Sequence, residues 1–194
     1  TSVDDEFETL KGRDAQKHIV EKAIEVAERV RSTLGPLGPD KMLVDGMGDF
    51  LLTNDGATIL SKRHDNDPVA RIIAQSAKAQ EKAVFDGTTT TVVLLGELLK
   101  LAWHYIQKGV QTNAITKGFR AALEIATEVA EENATTGDTP YDAAKMVAKT
   151  AITGKSAEDY IEILSDICAR AAEAATPDNI KLIGRPGDPN DAEL

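Results

Sequence analysis

Asp86-Gly87-Thr88-Thr89-Thr90-Thr91-Val92-Val93-Leu94-Leu95 is the stretch that decides the fold. A carboxylate and a glycine lead into four threonines, and an apolar run follows at once. The apolar residues continue through Leu98, Leu99, Leu101, Ala102, Tyr105 and Ile106 and cover most of a helix's circumference. This segment is therefore expected to be the central, buried helix, ending at Gly109. Its start would leave backbone N–H groups unpaired, with hydroxyl donors beside them, so it is a place for an anion. Asp86 would repel a phosphate there unless a Mg²⁺ ion bridged the two. The alternative is an ordinary helix cap followed by threonines in the first turn.

Working outward, Asp14 to Leu34 carries Ile19, Ala23, Val26, Ala27, Val30 and Leu34 at helical spacing, and Gly35-Pro36 should stop that helix. Met42 to Val44 and Phe50 to Thr53 flank the turn residues Asp45-Gly46-Met47-Gly48-Asp49 and predict a β-hairpin. Asn54-Asp55-Gly56 ends it, and a short helix is expected from Ala57 to Arg63. Asp67-Pro68 opens another helix, with the stripe Val69, Ile72, Ile73, Ser76, Gln80 and Ala83. Asn113 to Glu132 is amphipathic. The polar stretch from Asn133 to Pro140 is the expected domain boundary. Beyond it come a helix from Tyr141 to Thr150, a capping box at Ser156 to Asp159 and a helix burying Tyr160, Ile163, Leu164, Ile167, Cys168 and Ala171. A final strand is expected at Asn179 to Ile183. No internal repeat is visible.

Composition narrows the function. The 194 residues are 42% hydrophobic and 28% charged, ordinary for a globular protein. No run approaches a membrane span, and the N-terminal residues have no apolar core of a signal peptide. Lys plus Arg is 22 against 32 Asp plus Glu, a net charge of −10. That balance repels a phosphate backbone and speaks against nucleic acid as a general partner, while leaving room for a local nucleotide pocket. The lone Cys168 forms no internal disulfide, which suits a reducing, cytoplasmic setting. No zinc-type spacing and no G-x-x-x-x-G-K-[ST] loop occurs.

Asp55, between a strand and a helix, is a candidate to orient or deprotonate water; a turn or cap aspartate is the plainer alternative. Gly35-Pro36 could bring backbone close to a ligand, or simply terminate a helix. Lys155 could meet a phosphate, or lie solvated in its loop. His18, His64 and His104 are read as structural or surface residues.

Taken in order, Gly12-Arg-Asp-Ala-Gln16, Thr33-Leu-Gly-Pro36, Asp40-Lys-Met-Leu43, Asn54-Asp-Gly-Ala-Thr-Ile59, Asp86-Gly-Thr-Thr-Thr90 and Ile152-Thr-Gly-Lys-Ser156 closely resemble the N-terminal part of a group II chaperonin, the thermosome and eukaryotic cytosolic type. The resemblance runs from about Gly12 to Leu194. It implies a mainly α fold: residues 1–140 as the first segment of a helical, ATP-binding equatorial domain with a small β-hairpin, and 141–194 as the first, short helical segment of an intermediate domain. It implies that Thr33, Leu34, Gly35 and Pro36 lie against the nucleotide. Asp86 matches the Mg²⁺ ligand, and Gly87, Thr88, Thr89 and Thr90 match the phosphate cradle with Gly56 nearby. Asp55 matches the carboxylate that positions the attacking water, and Lys155 the sensor of the γ-phosphate. The cofactors implied are ATP and Mg²⁺. The partners implied are other chaperonin subunits in a double ring, reached through the hairpin, and unfolded protein clients bound by an apical domain.

The resemblance departs at Phe85, where the family usually has glycine. A side chain there is expected to crowd the phosphate loop or alter its backbone angles. The family's apical domain and returning half, with a further catalytic aspartate and part of the adenine pocket, are not matched. The chain is therefore expected to be a piece of a longer subunit or a shortened natural relative. Rival readings are a chaperonin-derived interaction protein without ATPase activity and a small independent ATPase.

Overall fold

A computed structural model describes residues 10–35, 37–62, 66–176 and 179–194. Contacts divide the chain into two compact units, Thr1–Ala122 and Leu123–Leu194.

In the first unit, helix α1 (Gly12–Arg31) leads to a hairpin of β1 (Lys41–Val44) and β2 (Phe50–Thr53). Helices α2 (Gly56–Lys62), α3 (Pro68–Val84), α4 (Thr88–Gln107) and the start of α5 (Thr112–Glu132) follow. The hairpin is antiparallel, with Met42 opposite Leu52 and Val44 opposite Phe50. Asp45 closes its turn by accepting the N–H groups of Met47 and Asp49 on Oδ1.

The core is aliphatic and built largely of small residues. Val26, Val30, Ile59, Ile73, Ala77, Val92 and Val93 belong to one buried cluster. Close helix approach explains why small residues dominate. A Cβ on Gly96 of α4 would lie 2.4 Å from the Ala27 Cβ and 3.5 Å from the Ala23 carbonyl oxygen of α1. Arg31 reinforces the pair by bonding Glu97.

Three expectations change in this unit. First, α1 ends at Arg31, so Leu34 lies beyond it and is half-exposed, as is Ile19. Second, the buried stripe of α3 is Ala70, Ile73 and Ala77, while Ile72 is 62% exposed and Ser76 is also exposed. The face with the smaller side chains turns inward because it admits the closest packing on α1 and α4. Third, α4 is buried along one face only. Val92, Val93, Gly96 and Ala102 are covered, while Leu94, Leu101 and Tyr105 are half-exposed. The helices described here supply one layer against α4 and none for its second apolar face. Arg63, the end expected for α2, and His64 lie outside the described residues.

In the second unit, α6 (Pro140–Ile152) packs on α7 (Ile161–Ala174). Thr139 caps α6 by accepting the Asp142 N–H, with Pro140 at the first helical position. Tyr141 donates its hydroxyl proton to Asp166, and Arg170 Nε donates to the other carboxylate oxygen at 3.0 Å. Lys145 Nζ stands 3.7 Å from the same carboxylate. The expected capping box at Ser156 does not form: a 3-10 turn at Glu158–Tyr160 leads into α7, and neither end carries a side-chain cap. Cys168 is exposed, against the expectation that it lies in the core. The face of α7 that becomes buried carries Ser165 and Ala169, and Cys168 sits beside it. Residues 180–185 form no strand. α5 spans the division between units and buries none of its residues. No helix among the described residues is long and apolar enough to cross a membrane.

Two predictions follow from this packing. Gly96→Ala gains about 1 kcal/mol of helix propensity but forces α1 and α4 apart, so the net change should be a loss of roughly 1–3 kcal/mol in urea unfolding. Adding Ala27→Gly should return part of it; a gain from Gly96→Ala alone would refute the close approach. The second concerns acid. The Tyr141 hydrogen bond, then the charges of Arg170 and Lys145, hold the Asp166 carboxyl below its ordinary value of 3.8. The native state thus binds this proton less readily than the unfolded chain. Its contribution is fully present above 3.8 and is lost as pH falls through that value toward the lower native one. Asp166→Asn should flatten the acid limb of helical stability followed by circular dichroism; an unchanged limb would show that Asp166 does not drive it.

Candidate functional site

Asp55 is set by its neighbours. Its own N–H donates to Thr53 Oγ1 at 3.1 Å, and its Oδ2 accepts the Thr58 N–H at 2.7 Å. The carboxylate therefore caps α2 and is fixed in orientation, while Oδ1 has no partner among the described residues. Gly56, next in the chain, is buried. A Cβ there would fall 2.5 Å from Thr89 Oγ1, closer than any side chain tolerates. The absence of a side chain at Gly56 is thus what lets the start of α2 reach the start of α4. Two motifs more than thirty residues apart in sequence meet at this contact.

The turn before α4 is equally specific. Phe85 closes α3 with φ 59° and ψ 17°, a left-handed conformation, and its N–H donates to the Glu81 carbonyl at 2.7 Å. Gly87 is also left-handed, with φ 78° and ψ 11°. Asp86 lies between them, exposed, with Oδ1 accepting the Gly87 N–H at 2.7 Å. Gly87 gives α4 its first intrahelical acceptor, for Thr91 N–H, and no side chain caps the helix. The N–H groups of Thr88, Thr89 and Thr90 consequently have no acceptor among the described residues. Three open donors, the helix dipole and neighbouring hydroxyls suit a phosphate group. The exposed Asp86 suits Mg²⁺, which takes one or two carboxylates together with phosphate oxygens. Among the described residues no cage of three or more His, Cys, Asp or Glu exists, so any ion held here would draw further ligands from phosphate and water.

Thr33 is buried and anchors the loop after α1, its hydroxyl donating to the Val30 carbonyl at 2.7 Å. Gly35 follows with φ 90°, and Gly38 folds back so closely that a Cβ on it would meet the Thr33 carbonyl oxygen at 2.4 Å. Leu34 and Gly35 are exposed, and Pro36 lies outside the described residues. Val30, Ile59 and Val92 stand within about one helical turn of Thr33, Asp55 and Thr89 respectively, and all three belong to the same core cluster. Lys155 is exposed in a turn of the second unit, its N–H donating to the Ile152 carbonyl at 3.1 Å, after Gly154 at φ 76°.

The stripe expected for α3 includes Gln80. Its Nε2 instead donates to the Asp86 carbonyl at 3.2 Å and packs against Gly87, bracing the turn from below. The signal available in the sequence is an amide on a largely apolar stripe, about two turns before a glycine-threonine motif.

The left-handed Phe85 gives a direct test. A non-glycine residue there costs about 1–2 kcal/mol, and the side chain is 74% exposed, so little packing offsets it. Phe85→Gly should raise stability by about 1 kcal/mol in thermal unfolding, whereas Phe85→Ala, which keeps the strained backbone, should not. Equal effects of the two would remove the strain argument.

A model of the TCP-1/cpn60 chaperonin family matches residues 26–187. The chain is similar to a thermosome subunit of Methanopyrus kandleri, 46% identical over 169 residues, which covers 86% of this chain and 31% of that protein. It is 45% identical over 174 residues to thermosome subunit 2 of Haloferax volcanii, covering 89% of this chain and 31% of that protein. Against thermosome subunit alpha of Archaeoglobus fulgidus it is 42% identical over 187 residues, covering 91% of this chain and 34% of that protein. The chain spans about a third of the length of the curated relatives it matches.

Proposed function

Because the chain belongs to the TCP-1/cpn60 chaperonin family, we propose that it is the Mg²⁺-ATP-binding segment of a group II chaperonin subunit whose ATP hydrolysis drives protein folding in a double ring. The observation that supports this reading is the approach of Gly56 to Thr89, which brings the turn that carries Asp55 to the start of α4. In this reading residues 1–140 belong to the equatorial domain and 141–194 to the intermediate domain. Ring neighbours are met through the hairpin, clients through an apical domain, and the setting is cytoplasmic.

The roles follow from the chemistry of each residue. The N–H groups of Thr88, Thr89 and Thr90 and their hydroxyls bind phosphate oxygens, and the left-handed Gly87 lets the backbone turn inward to do so. Asp86 offers its unbonded oxygen to Mg²⁺, which when bound neutralises phosphate charge. Asp55, held by Thr53 and Thr58, orients an attacking water through Oδ1 and accepts its proton. Thr33, Leu34 and Gly35 form the wall along the nucleotide. Lys155 senses the γ-phosphate and links its loss to motion of the intermediate segment.

A second reading, a non-catalytic partner-binding protein, is favoured by exposed apolar surface. Met42, Val44, Phe50 and Leu52 of the hairpin are each about 60% exposed. A lone hairpin is marginal in water, and its edges invite strand addition. Self-association at micromolar concentration in sedimentation velocity would fit both readings; a sharp, thermally stable monomer would count against the assembly role given to the hairpin.

Calorimetry separates the two. Mg²⁺-ATP should bind weakly, and Asp86→Ala should weaken it by roughly tenfold or more while abolishing the Mg²⁺ requirement, the loss expected of one charge-assisted contact. The chain alone should turn over ATP little or not at all. Binding indifferent to Asp86→Ala would remove the metal role, and robust turnover abolished by Asp55→Ala would instead mark an independent enzyme.

A further inference from the structure

A cavity of about 300 Å³ opens among α1, α2 and α3, on residues that have no part in the nucleotide site proposed above. Arg29, Arg71 and Lys78 line it, and no acidic side chain among the described residues does. This is unusual in a chain whose net charge is −10. Arg71, Gln75 and Lys78 lie four and three residues apart on α3 and so share one face of that helix. Arg29 is bonded to Glu25, whose carboxyl is held below its ordinary value by hydrogen bonds from Lys22 and Arg29, so its charge is largely answered. The position of Arg71 and Lys78 is different: neither side chain has a hydrogen bond or ion pair among the described residues. The amides of Asn66 and Gln75, also in the lining, are equally unengaged. Ser61 contributes less, because its hydroxyl proton already goes to the Thr58 carbonyl at 3.1 Å. Val26, Leu60 and Ala74 supply an apolar floor.

Two cations and two amides without partners, above a small apolar floor, form a donor set with no acceptors among the described residues to satisfy it. We infer that this cavity is a binding site for a small phosphate ester, with Arg71 and Lys78 on the phosphate oxygens, Asn66 and Gln75 as neutral donors, and the apolar floor under the carbon skeleton. Phosphate is favoured over an extended acidic peptide because the space is that of a small molecule. Arginine also matches a planar pair of phosphate oxygens. The net negative charge of the chain makes the attraction local, so binding weakens steeply with salt only to the extent of these cations.

Inorganic pyrophosphate in EDTA is the probe, since without Mg²⁺ the Asp86 turn repels phosphate and stays silent. Isothermal titration of the full chain should show saturable binding at one site. Arg71→Gln and Lys78→Gln should each weaken it roughly tenfold, and Arg71→Lys with Lys78→Arg should restore much of it. Both glutamine variants alter exposed side chains, and their thermal unfolding in buffer serves as the check that they remain folded. Unaltered affinity in the folded double variant Arg71→Gln/Lys78→Gln overturns the site, as does full competition by chloride at matched ionic strength. Binding that appears only when Mg²⁺ is restored would overturn the site and assign the pyrophosphate to the α4 turn instead. Failure of Mg²⁺-ATP binding with pyrophosphate binding intact would sink the nucleotide reading and leave this one standing.

Discussion

The contact of Gly96 with Ala23 and Ala27 is the constraint on which the first unit depends. It brings the α1 and α4 backbones close enough that valine and alanine fill the space between helices. Aromatic residues make up only 4% of the chain, so large side chains are scarce as a means of filling wider gaps. The same closeness seats Val30, Ile59 and Val92 in one cluster, and each of these lies a turn away from a motif of the candidate site. Packing density is thereby converted into placement: three chain ends with no bonds to one another are held by the side chains just inside them.

A second glycine works by the same physics with a different result. At Gly96 the missing side chain lets two helices pack; at Gly56 it lets a carboxylate-bearing turn stand against the first turn of α4. Phe85 is the converse. The chain demands a left-handed residue there to end α3 and turn into α4, and it supplies one whose side chain makes that backbone costly. The strain is local to the turn that presents Asp86, and Gln80 holds that turn from the other side.

Much of the fold was legible because it rests on local signals. The hairpin, the Asp67-Pro68 start and the Thr-rich start of α4 all follow from capping and turn chemistry. The inward face of α3 was not legible, because Ile72 and Ala70 differ by which neighbour they meet and periodicity weighs only their hydrophobicity. Cys168 and the second face of α4 were hidden for the same reason: an apolar residue states that it can be buried, and the partner that would bury it is set by the fold and not by its neighbours in sequence. Ser156 to Asp159 has the spacing of a capping box, but a 3-10 turn overrides it. For the candidate site, the sequence showed which residues could bind phosphate, whereas the meeting of Gly56 with Thr89 is a long-range contact that spacing does not encode.

α5 has a consequence of its own. Twenty-one residues are helical without a fully buried side chain, so tertiary packing gives its hydrogen bonds little protection. Its amides are governed mainly by the helix–coil equilibrium and are expected to exchange with solvent faster than those of α1 or α4. Any surface that settles on Phe119, Leu123 or Val129 slows that exchange at once. The helix is therefore a built-in gauge of occupancy: deuterium uptake along it reads whether its apolar face is covered, without a label and without knowing in advance what covers it.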